Sequence, residues 1–341
     1  MSVNRQWRLA RRPRGLVQET DFTWVEEPVP SVGEGQVLVR NLFLSVDPTQ
    51  RGWMSRDTYL PAIAIGEVIR SLGVGQVVGS RHEGLRPGDV VSGHVGWQDY
   101  LLTDGGGPLP LVKLPAGASI PLSMNVLGLT GVTAYFGLLD VGRPQAGETV
   151  VVSGAAGATG SVAGQIAKIK GCRVVGIAGG PEKCAWLTEK AGFDAAVDYK
   201  AERVDRRLGE LCPDGIDVFF DNVGGEILDA ALANLAMRGR VVICGAISGY
   251  NEKAPPPGPR NYLSLLVRRG RMEGFIILDY MDRAGEAVAA LSQWVQEGKL
   301  HHEEDIQEGL ENAPKTLLRL FEGKNRGKQL LKITDPPMPT P

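Results

Sequence analysis

The run Thr149–Lys170, TVVVSGAAGATGSVAGQIAKIK, limits what this chain can fold into more than any other stretch. Thr149–Ser153 is β-branched and apolar, as a buried strand is. Gly154, Gly157 and Gly160 follow at a spacing of three. Val162, Ile166 and Ile169, with Ala163 and Ala167 between them, then repeat at helical spacing. Strand, glycine turn and helix predict the phosphate-binding corner of a dinucleotide fold. The glycines let backbone approach a pyrophosphate, and the N–H groups that open the helix meet its charge. The spacing is GxxGxxG rather than GxGxxG. The plainer alternative is a turn that merely packs a helix tightly against its strand.

The next strand chooses between nicotinamide dinucleotides. It is Cys172–Ala178, CRVVGIA. In NAD-specific folds an Asp or Glu about twenty residues past the turn binds the ribose 2′-hydroxyl. Ala178, Gly179 and Gly180 stand there instead, so no carboxylate repels a 2′-phosphate. Pro181-Glu182-Lys183 then opens a helix, with Pro181 suited to its first position and Lys183 in its first turn. The pattern points to NADP(H), with Lys183 on the 2′-phosphate. The alternative is a solvated surface lysine.

At 341 residues the chain can build two cores. A net charge of −2 and a pI of about 6.2, without a basic stripe, argue against nucleic acid or an anionic membrane as partner. No apolar run reaches the roughly 18–20 residues of a membrane span. The basic start, MSVNRQWRLARRPRG, lacks the apolar centre of a signal peptide and reads as a first strand, Gln6–Ala10, and a basic loop. Cys172, Cys184, Cys212 and Cys244 form no CxxC pair. That argues against disulfides and structural zinc, and for reduced thiols in a cytoplasmic protein.

Up to about residue 125, turn residues such as Pro48, Gly66, Gly73, Gly75 and Pro87-Gly88 recur at short intervals. The β-rich runs between them (Gln36–Leu44, Gln76–Gly79, Asp89–Val91, Tyr100–Leu102) predict a largely antiparallel β domain. From Asn125 helices and strands alternate, which implies a parallel sheet. Strands are expected at 149–153, 172–178, 195–198, 216–220, 240–245 and 272–277. Helices are expected at 158–170, 181–191, 226–236, 260–269 and 282–298. A short helix, Ala313–Phe321, precedes a last strand, Gln329–Ile333, that should return to the β domain. The loop Lys253–Pro259 carries no secondary-structure signal, and the tail DPPMPTP is expected to be disordered.

Seven segments in order carry a family resemblance: LSVDPTQRGWM (44–54), GLTGVTAYFGLLDVG (128–142), SGAAGATGSVAGQIAKIKGC (153–172), VFFDNVGGEILD (218–229), VVICGAISGYN (241–251), RMEGFIILDY (271–280) and FEGKNRGKQLLKI (321–333). The chain resembles the zinc-independent medium-chain dehydrogenase/reductases, in the branch of alkenal double-bond reductases, 15-oxoprostaglandin 13-reductases and curcumin reductases. The resemblance implies an α/β protein: a GroES-like β domain over residues 1–125, completed by 305–341, and a Rossmann domain with a doubly wound parallel sheet over 126–304. It also implies NADPH dependence and a homodimer. By the same resemblance Gly157, Ala158, Thr159 and Gly160 match the pyrophosphate turn, Lys183 and Tyr199 the 2′-phosphate, and Asn222 a cofactor contact. Cys244, Gly245, Ala246, Ile247, Ser248 and Tyr250, and likewise Phe275, Ile276 and Ile277, match segments flanking the nicotinamide. Asn325 matches a late asparagine that reaches back to the cofactor. Two positions depart from the pattern beside the expected substrate cleft. Thr49 replaces an aromatic residue and Trp53 an arginine.

Zinc-dependent members need a Cys or His early in the β domain and a His-Glu pair after it. Here SVDPTQRGW and IAIGEVI supply neither. His301-His302 reads as a solvated pair, and His82 and His94 as isolated loop residues. Without a Lewis acid, alcohol oxidation is hard. Reduction of a conjugated C=C asks less, because the developing enolate needs only hydrogen-bond donors. Tyr250 is the candidate donor, just past the strand 240–245, where open α/β sheets bind ligands. Tyr262, Tyr59 and the cofactor's own ribose hydroxyl are the alternatives, and Asp221 reads as structural. The expected activity is NADPH-dependent reduction of α,β-unsaturated ketones and aldehydes. A quinone reductase and a nucleotide-binding protein without turnover are the competing readings.

Overall fold

The computed structural model describes residues 3–107, 109–254 and 256–335. Pro255 of the Lys253–Pro259 loop and residues 336–341 of the tail lie outside them. In chain order the strands are β1 (Val3–Leu9), β2 (Phe22–Pro28), β3 (Val37–Ser45), β4 (Leu72–Ser80), β5 (Val90–His94), β6 (Tyr100–Thr103), β7 (Val112–Lys113), β8 (Thr149–Ser153), β9 (Arg173–Ala178), β10 (Ala195–Asp198), β11 (Ile216–Asp221), β12 (Leu235–Ile243), β13 (Arg271–Gly274), β14 (Glu304–Glu308) and β15 (Lys328–Lys332). The helices are α1 (Thr49–Trp53), α2 (Ile120–Met124), α3 (Leu129–Phe136), α4 (Ala158–Ile169), α5 (Pro181–Glu189), α6 (Val204–Leu211), α7 (Gly225–Ala233), α8 (Leu263–Arg268), α9 (Ala284–Gln296) and α10 (Ala313–Phe321). The chain divides into two compact units, one of residues 1–124, 305–324 and 329–341, the other of 125–304 and 325–328.

The first unit is β-rich. Its main sheet runs β14-β15-β3-β4-β5-β7, with β6 also on β3, while β1 and β2 form a separate antiparallel pair. The strand after α10 does return to this sheet, because β15 pairs antiparallel with β3. Val37, Val39, Val77, Leu85 and Val91 make one apolar cluster, and Leu42, Phe43, Val74, Met124 and Leu330 another.

The second unit holds a parallel sheet in the order β10-β9-β8-β11-β12-β13. From β8 the chain winds outward one way through β9 and β10, then returns to wind the other way through β11, β12 and β13. That is the doubly wound arrangement, with its switch point between β8 and β11. Both faces of such a sheet are covered, so its strands are apolar without alternation. Val150–Val152, Val174, Val175 and Val218–Phe220 are all fully buried. Two consecutive phenylalanines, Phe219 and Phe220, can both be buried only because helices cover both faces.

Several elements escape the pattern reading, among them the short α1, α2, β7 and β14, and three show why. α6, VDRRLGEL, is half charged and offers only Val204, Leu208 and Leu211 to the core. α3, LTGVTAYF, is rich in β-branched and aromatic residues that favour strands, and packing overrides that preference. β2 reaches regular structure only by pairing with β1. In addition, β12 stops at Ile243, so Cys244 and Gly245 belong to the following loop rather than to the strand.

Candidate functional site

Every parallel strand delivers its chain to the same edge. Past β8 lie Gly154–Gly160, past β9 Gly179–Lys183, past β10 Tyr199, past β11 Asn222, past β12 Cys244–Tyr250 and past β13 Phe275–Ile277. Open α/β sheets bind ligands at this carboxyl edge.

The glycine turn forms a cradle that a side chain would fill. Gly154 adopts φ +57°, a left-handed conformation that glycine takes without strain. Gly157 is the N-cap of α4 and has no side-chain cap. The N–H groups of Ala158, Thr159 and Gly160 open the helix and have no carbonyl of the preceding turn to meet. A Cβ on Gly160 would stand 2.4 Å from the Gly154 carbonyl oxygen. The result is bare backbone with aligned donors, which fits a dinucleotide pyrophosphate. Residues 325–328 belong to the same unit and close on the turn. Gly327 bridges Gly157 and donates its N–H to Ala156 O at 2.9 Å, while Asn325 Nδ2 donates to Gly327 O at 3.0 Å.

At the neighbouring strand ends, Lys183 is partly buried in the first turn of α5. The Tyr199 ring lies against Gly179, where an added Cβ would meet it at 2.8–2.9 Å, and Tyr199 is 45% exposed. The sequence reading missed one carboxylate. Asp198, at the end of β10, accepts the Gly180 N–H at 2.8 Å and the Lys200 N–H at 3.0 Å. A carboxylate inside the segment VDYK (197–200) was the only available signal, and its partners are backbone groups.

Asp221 ties the switch point together. It is fully buried and accepts Ser153 Oγ–H at 2.7 Å and the N–H groups of Val223 and Gly224 at 3.0 Å. Burial holds its carboxyl above the ordinary range, against the hydrogen bonds from Gly224, Ser153 and Val223. Asn222 Nδ2 donates to Ser153 O at 2.7 Å, so its amide joins β11 to β8. The 244–250 loop is then fastened on. The N–H groups of Cys244 and Gly245 donate to Asp221 O, Ile247 N–H to Asn222 O, and Ser248 Oγ to Val223 O at 2.6 Å. Tyr250 ends this loop. Its hydroxyl oxygen accepts the Ala246 N–H at 3.3 Å, which folds the ring back over the turn. Phe275 presses its ring on Gly137 and meets Tyr280 edge-on at 6.2 Å.

The residues that depart from the family pattern lie in the β-rich unit, on and beside α1. Thr49 Oγ1 and Tyr59 Oη are 3.1 Å apart, Trp53 meets Tyr59 edge-on at 6.2 Å, and the Arg70 guanidinium stacks on Trp53 at 5.7 Å. Tyr262 is 57% exposed beside α8.

The four cysteines are free. Burial pushes the thiols of Cys172, Cys184 and Cys212 up to about 11 and that of Cys244 to about 12, so none is a thiolate near neutral pH. His302 corrects the reading of a solvated pair. Its Nδ1 lies 2.7 Å from Glu304 Oε1, which also accepts from Asn125 Nδ2 at 2.9 Å. His82 Nδ1 accepts the Gly84 N–H. Among the described residues no three His, Cys, Asp or Glu side chains gather as metal ligands. No helix there is long and apolar enough to cross a membrane.

A doubly wound sheet whose glycine turn opens a helix at the switch point defines the class of dinucleotide-binding folds. Comparison with known proteins gives the family. A family described as the N-terminal domain of oxidoreductase matches residues 5–111, and one described as zinc-binding dehydrogenase matches residues 158–294. The NADPH-dependent curcumin reductase of Escherichia coli (strain K12) is 45% identical, over 97% of this chain and 97% of its own. The 2-alkenal reductase (NADP(+)-dependent) of Nicotiana tabacum is 38% identical, over 97% of this chain and 98% of its own. The crystal structure of CurA in complex with NADPH from Vibrio vulnificus matches with a TM-score of 0.91 at 42% identity, covering 97% of this chain and 100% of that one. The chain belongs to the NADP-dependent medium-chain dehydrogenase/reductases, in the branch of curcumin and alkenal double-bond reductases.

Proposed function

We propose that this protein uses NADPH to reduce the C=C bond of α,β-unsaturated ketones and aldehydes. The observation that carries the reading is the carboxyl edge of the parallel sheet. It offers a backbone cradle for a pyrophosphate, a strand end without an NAD-selecting carboxylate followed by a lysine in the first turn of α5, and a phenol in the turn after β12. Relatives named for curcumin and 2-alkenal reduction support the same substrate class. NADPH, when bound, supplies the hydride that adds to the β-carbon of the enone. Negative charge then grows on the carbonyl oxygen, and a fixed donor stabilises it more in the transition state than in the ground state.

We assign that donor to Tyr250. A hydroxyl that accepts one hydrogen bond, as Tyr250 does from Ala246, becomes a stronger donor of its own proton. The phenol can also return a proton to the α-carbon. The α4 N-terminus and Gly157–Gly160 hold the pyrophosphate in this reading, and Lys183 and Tyr199 hold the 2′-phosphate. Asn222, Cys244–Tyr250, Phe275–Ile277 and Asn325 line the rest of the cofactor's path.

The protein acts as a homodimer in the cytoplasm. Support for the dimer is the sheet edge: all four residues of β13, Met272 among them, are exposed, and so are the apolar Leu263, Leu266 and Val267 of α8. An uncovered strand of this kind invites pairing with a second copy. The free thiols support a reducing compartment.

Product assays with NADPH, before and after prolonged EDTA, test the activity. The expected result is a saturated carbonyl product from enones, at an unchanged rate after EDTA. Hydroquinone from quinones with no enone turnover would replace this reading, and a rate restored only by zinc would sink its chemistry.

A further inference from the structure

We propose that the β-rich unit carries a second binding site, for a small molecule bearing a carboxylate or phosphate, in the cleft formed by the loop between β1 and β2. The cleft measures about 530 Å³ and is lined by Arg11, Arg12, Arg14, Gln18 and Asp21. Three guanidinium groups thus face one carboxylate. That carboxylate is already engaged, because Asp21 accepts Arg11 Nε–H at 2.7 Å and the Gln18 N–H at 2.8 Å.

The other cations rest on neutral groups. Arg12 Nη1 donates to the carbonyls of Met54, at 2.8 Å, and Ile63. Behind the loop Arg51 is 3% exposed and donates to the carbonyls of Pro13, at 3.1 Å, and Gly15, at 3.0 Å. Among the described residues neither Arg12 nor Arg51 forms an ion pair, and the exposed Arg14 makes neither an ion pair nor a hydrogen bond. Burial lowers the pKa of Arg51, Asp21 opposing and Arg56 adding to the shift, yet a guanidinium stays charged in a protein.

Carbonyl dipoles orient a guanidinium without cancelling its charge. The loop therefore folds with excess positive charge turned toward an open cleft. A planar fork recognises carboxylate or phosphate through paired N–H donors. The volume falls in the range of small-molecule pockets, roughly 300–1,000 Å³, and so exceeds what a bare ion needs. Two sources carry this chemistry: a separate anionic metabolite, or an acid group on the enone itself. The second source rests on the proposed reductase activity.

The experiment uses protein saturated with NADP⁺, so that the dinucleotide's own phosphate positions are filled. Wild type is compared with Arg14→Glu and Arg14→Gln, whose side chain holds nothing in the fold. Calorimetry measures pyrophosphate binding. Steady-state kinetics measures KM for an enone with a terminal carboxylate and for its methyl ester. A separate ligand predicts pyrophosphate binding that weakens about tenfold or more in Arg14→Glu and less in Arg14→Gln, with both KM values unchanged. A substrate acid group predicts a KM about tenfold higher for the acid in Arg14→Glu, with the ester unchanged. If neither pyrophosphate affinity nor the acid-to-ester KM ratio depends on residue 14, the site does not exist. If no enone turns over at all, the reductase reading fails while the calorimetry still decides the site.

Discussion

At the carboxyl edge of the parallel sheet the backbone makes the functional surface, whereas around α1 in the β-rich unit side chains make it. The edge is a set of strand ends, helix N–H groups and glycines, fastened by one buried carboxylate, Asp221. The α1 region is fastened by long side chains reaching distant carbonyls: Arg51 to Pro13 and Gly15, Arg12 to Met54 and Ile63, Gln50 to Arg70. A backbone surface tolerates almost no added atom but is indifferent to many side chains nearby. A side-chain surface can change its chemistry by exchanging residues, as Thr49 and Trp53 illustrate.

The largest effect should come from the one side chain on the backbone-made edge to which we assign chemistry. Tyr250→Phe is expected to lower kcat about ten- to a thousandfold, while NADPH affinity stays nearly constant because the ring is kept. If kcat holds within a factor of about two and a ribose-modified cofactor slows turnover instead, the donor is the cofactor hydroxyl.

Gly160→Ala attacks the backbone surface itself. Its Cβ would meet the Gly154 carbonyl oxygen at 2.4 Å, and backbone cannot swing aside as a side chain can. A loss of about 2–3 kcal/mol in stability or NADPH binding is expected, read from melting temperature and cofactor titration. A variant with wild-type values in both would mean that the turn is loose, and the contrast between the two regions would collapse.

The mirror test removes a side-chain tie. Arg51→Met should cost about 2 kcal/mol in denaturant unfolding, because the Pro13 and Gly15 carbonyls lose charged donors. NADPH affinity should be unaffected, since that surface belongs to the other unit.

Lys183→Ala should raise the NADPH KM about tenfold, about 1.4 kcal/mol, and leave NADH kinetics unchanged. Equal losses with both cofactors would assign Lys183 to folding.

The smallest effect concerns a side-chain tie within the parallel-sheet unit. Glu304 holds His302 above its ordinary pKa of 6.5, burial opposing. The folded value exceeds the unfolded one, so the contribution is complete below the unfolded pKa and fades as pH rises through the folded value. The stability difference between wild type and His302→Gln should therefore shrink as pH rises above about 6.5, and as a single part-exposed pair it should stay within about 1 kcal/mol. A difference that grows with pH would mean that His302 is held neutral.

Much of the parallel-sheet unit could be read from local pattern. A strand buried on both faces must be apolar, a helix that binds phosphate must start on glycine, and both requirements leave their marks within a few residues. The boundaries of β8, α4 and β10 lie within about a residue of their expected positions, an error normal for helix and strand ends. What escaped was held by distant partners. α6 and α3 take their form from packing, β2 from pairing with β1, and the Glu304 contact of His302 from the fold around it. Asp221 was recognised as structural, but its bond to Ser153 spans the switch point and no spacing encodes that.

By itself the sequence determined the alternation of strands and helices that makes a parallel sheet, the glycine turn, the lack of an NAD-selecting carboxylate past the second strand and the order of segments that marks the family, which in turn implied the doubly wound order. The first three follow from short-range rules: side-chain period, backbone freedom at glycine, and the residues present at one strand end. The tertiary structure decided how Tyr250 folds over its own loop, which carboxylate fastens the switch point, and that the loop after β1 turns its arginines to a common cleft. The switch-point carboxylate and the arginine loop depend on donors and acceptors far apart in the chain, such as Ser153 with Asp221 and Arg12 with Met54, and only folding brings them within hydrogen-bond reach; the Tyr250 contact spans four residues, on a loop that residues 221–223 hold in place.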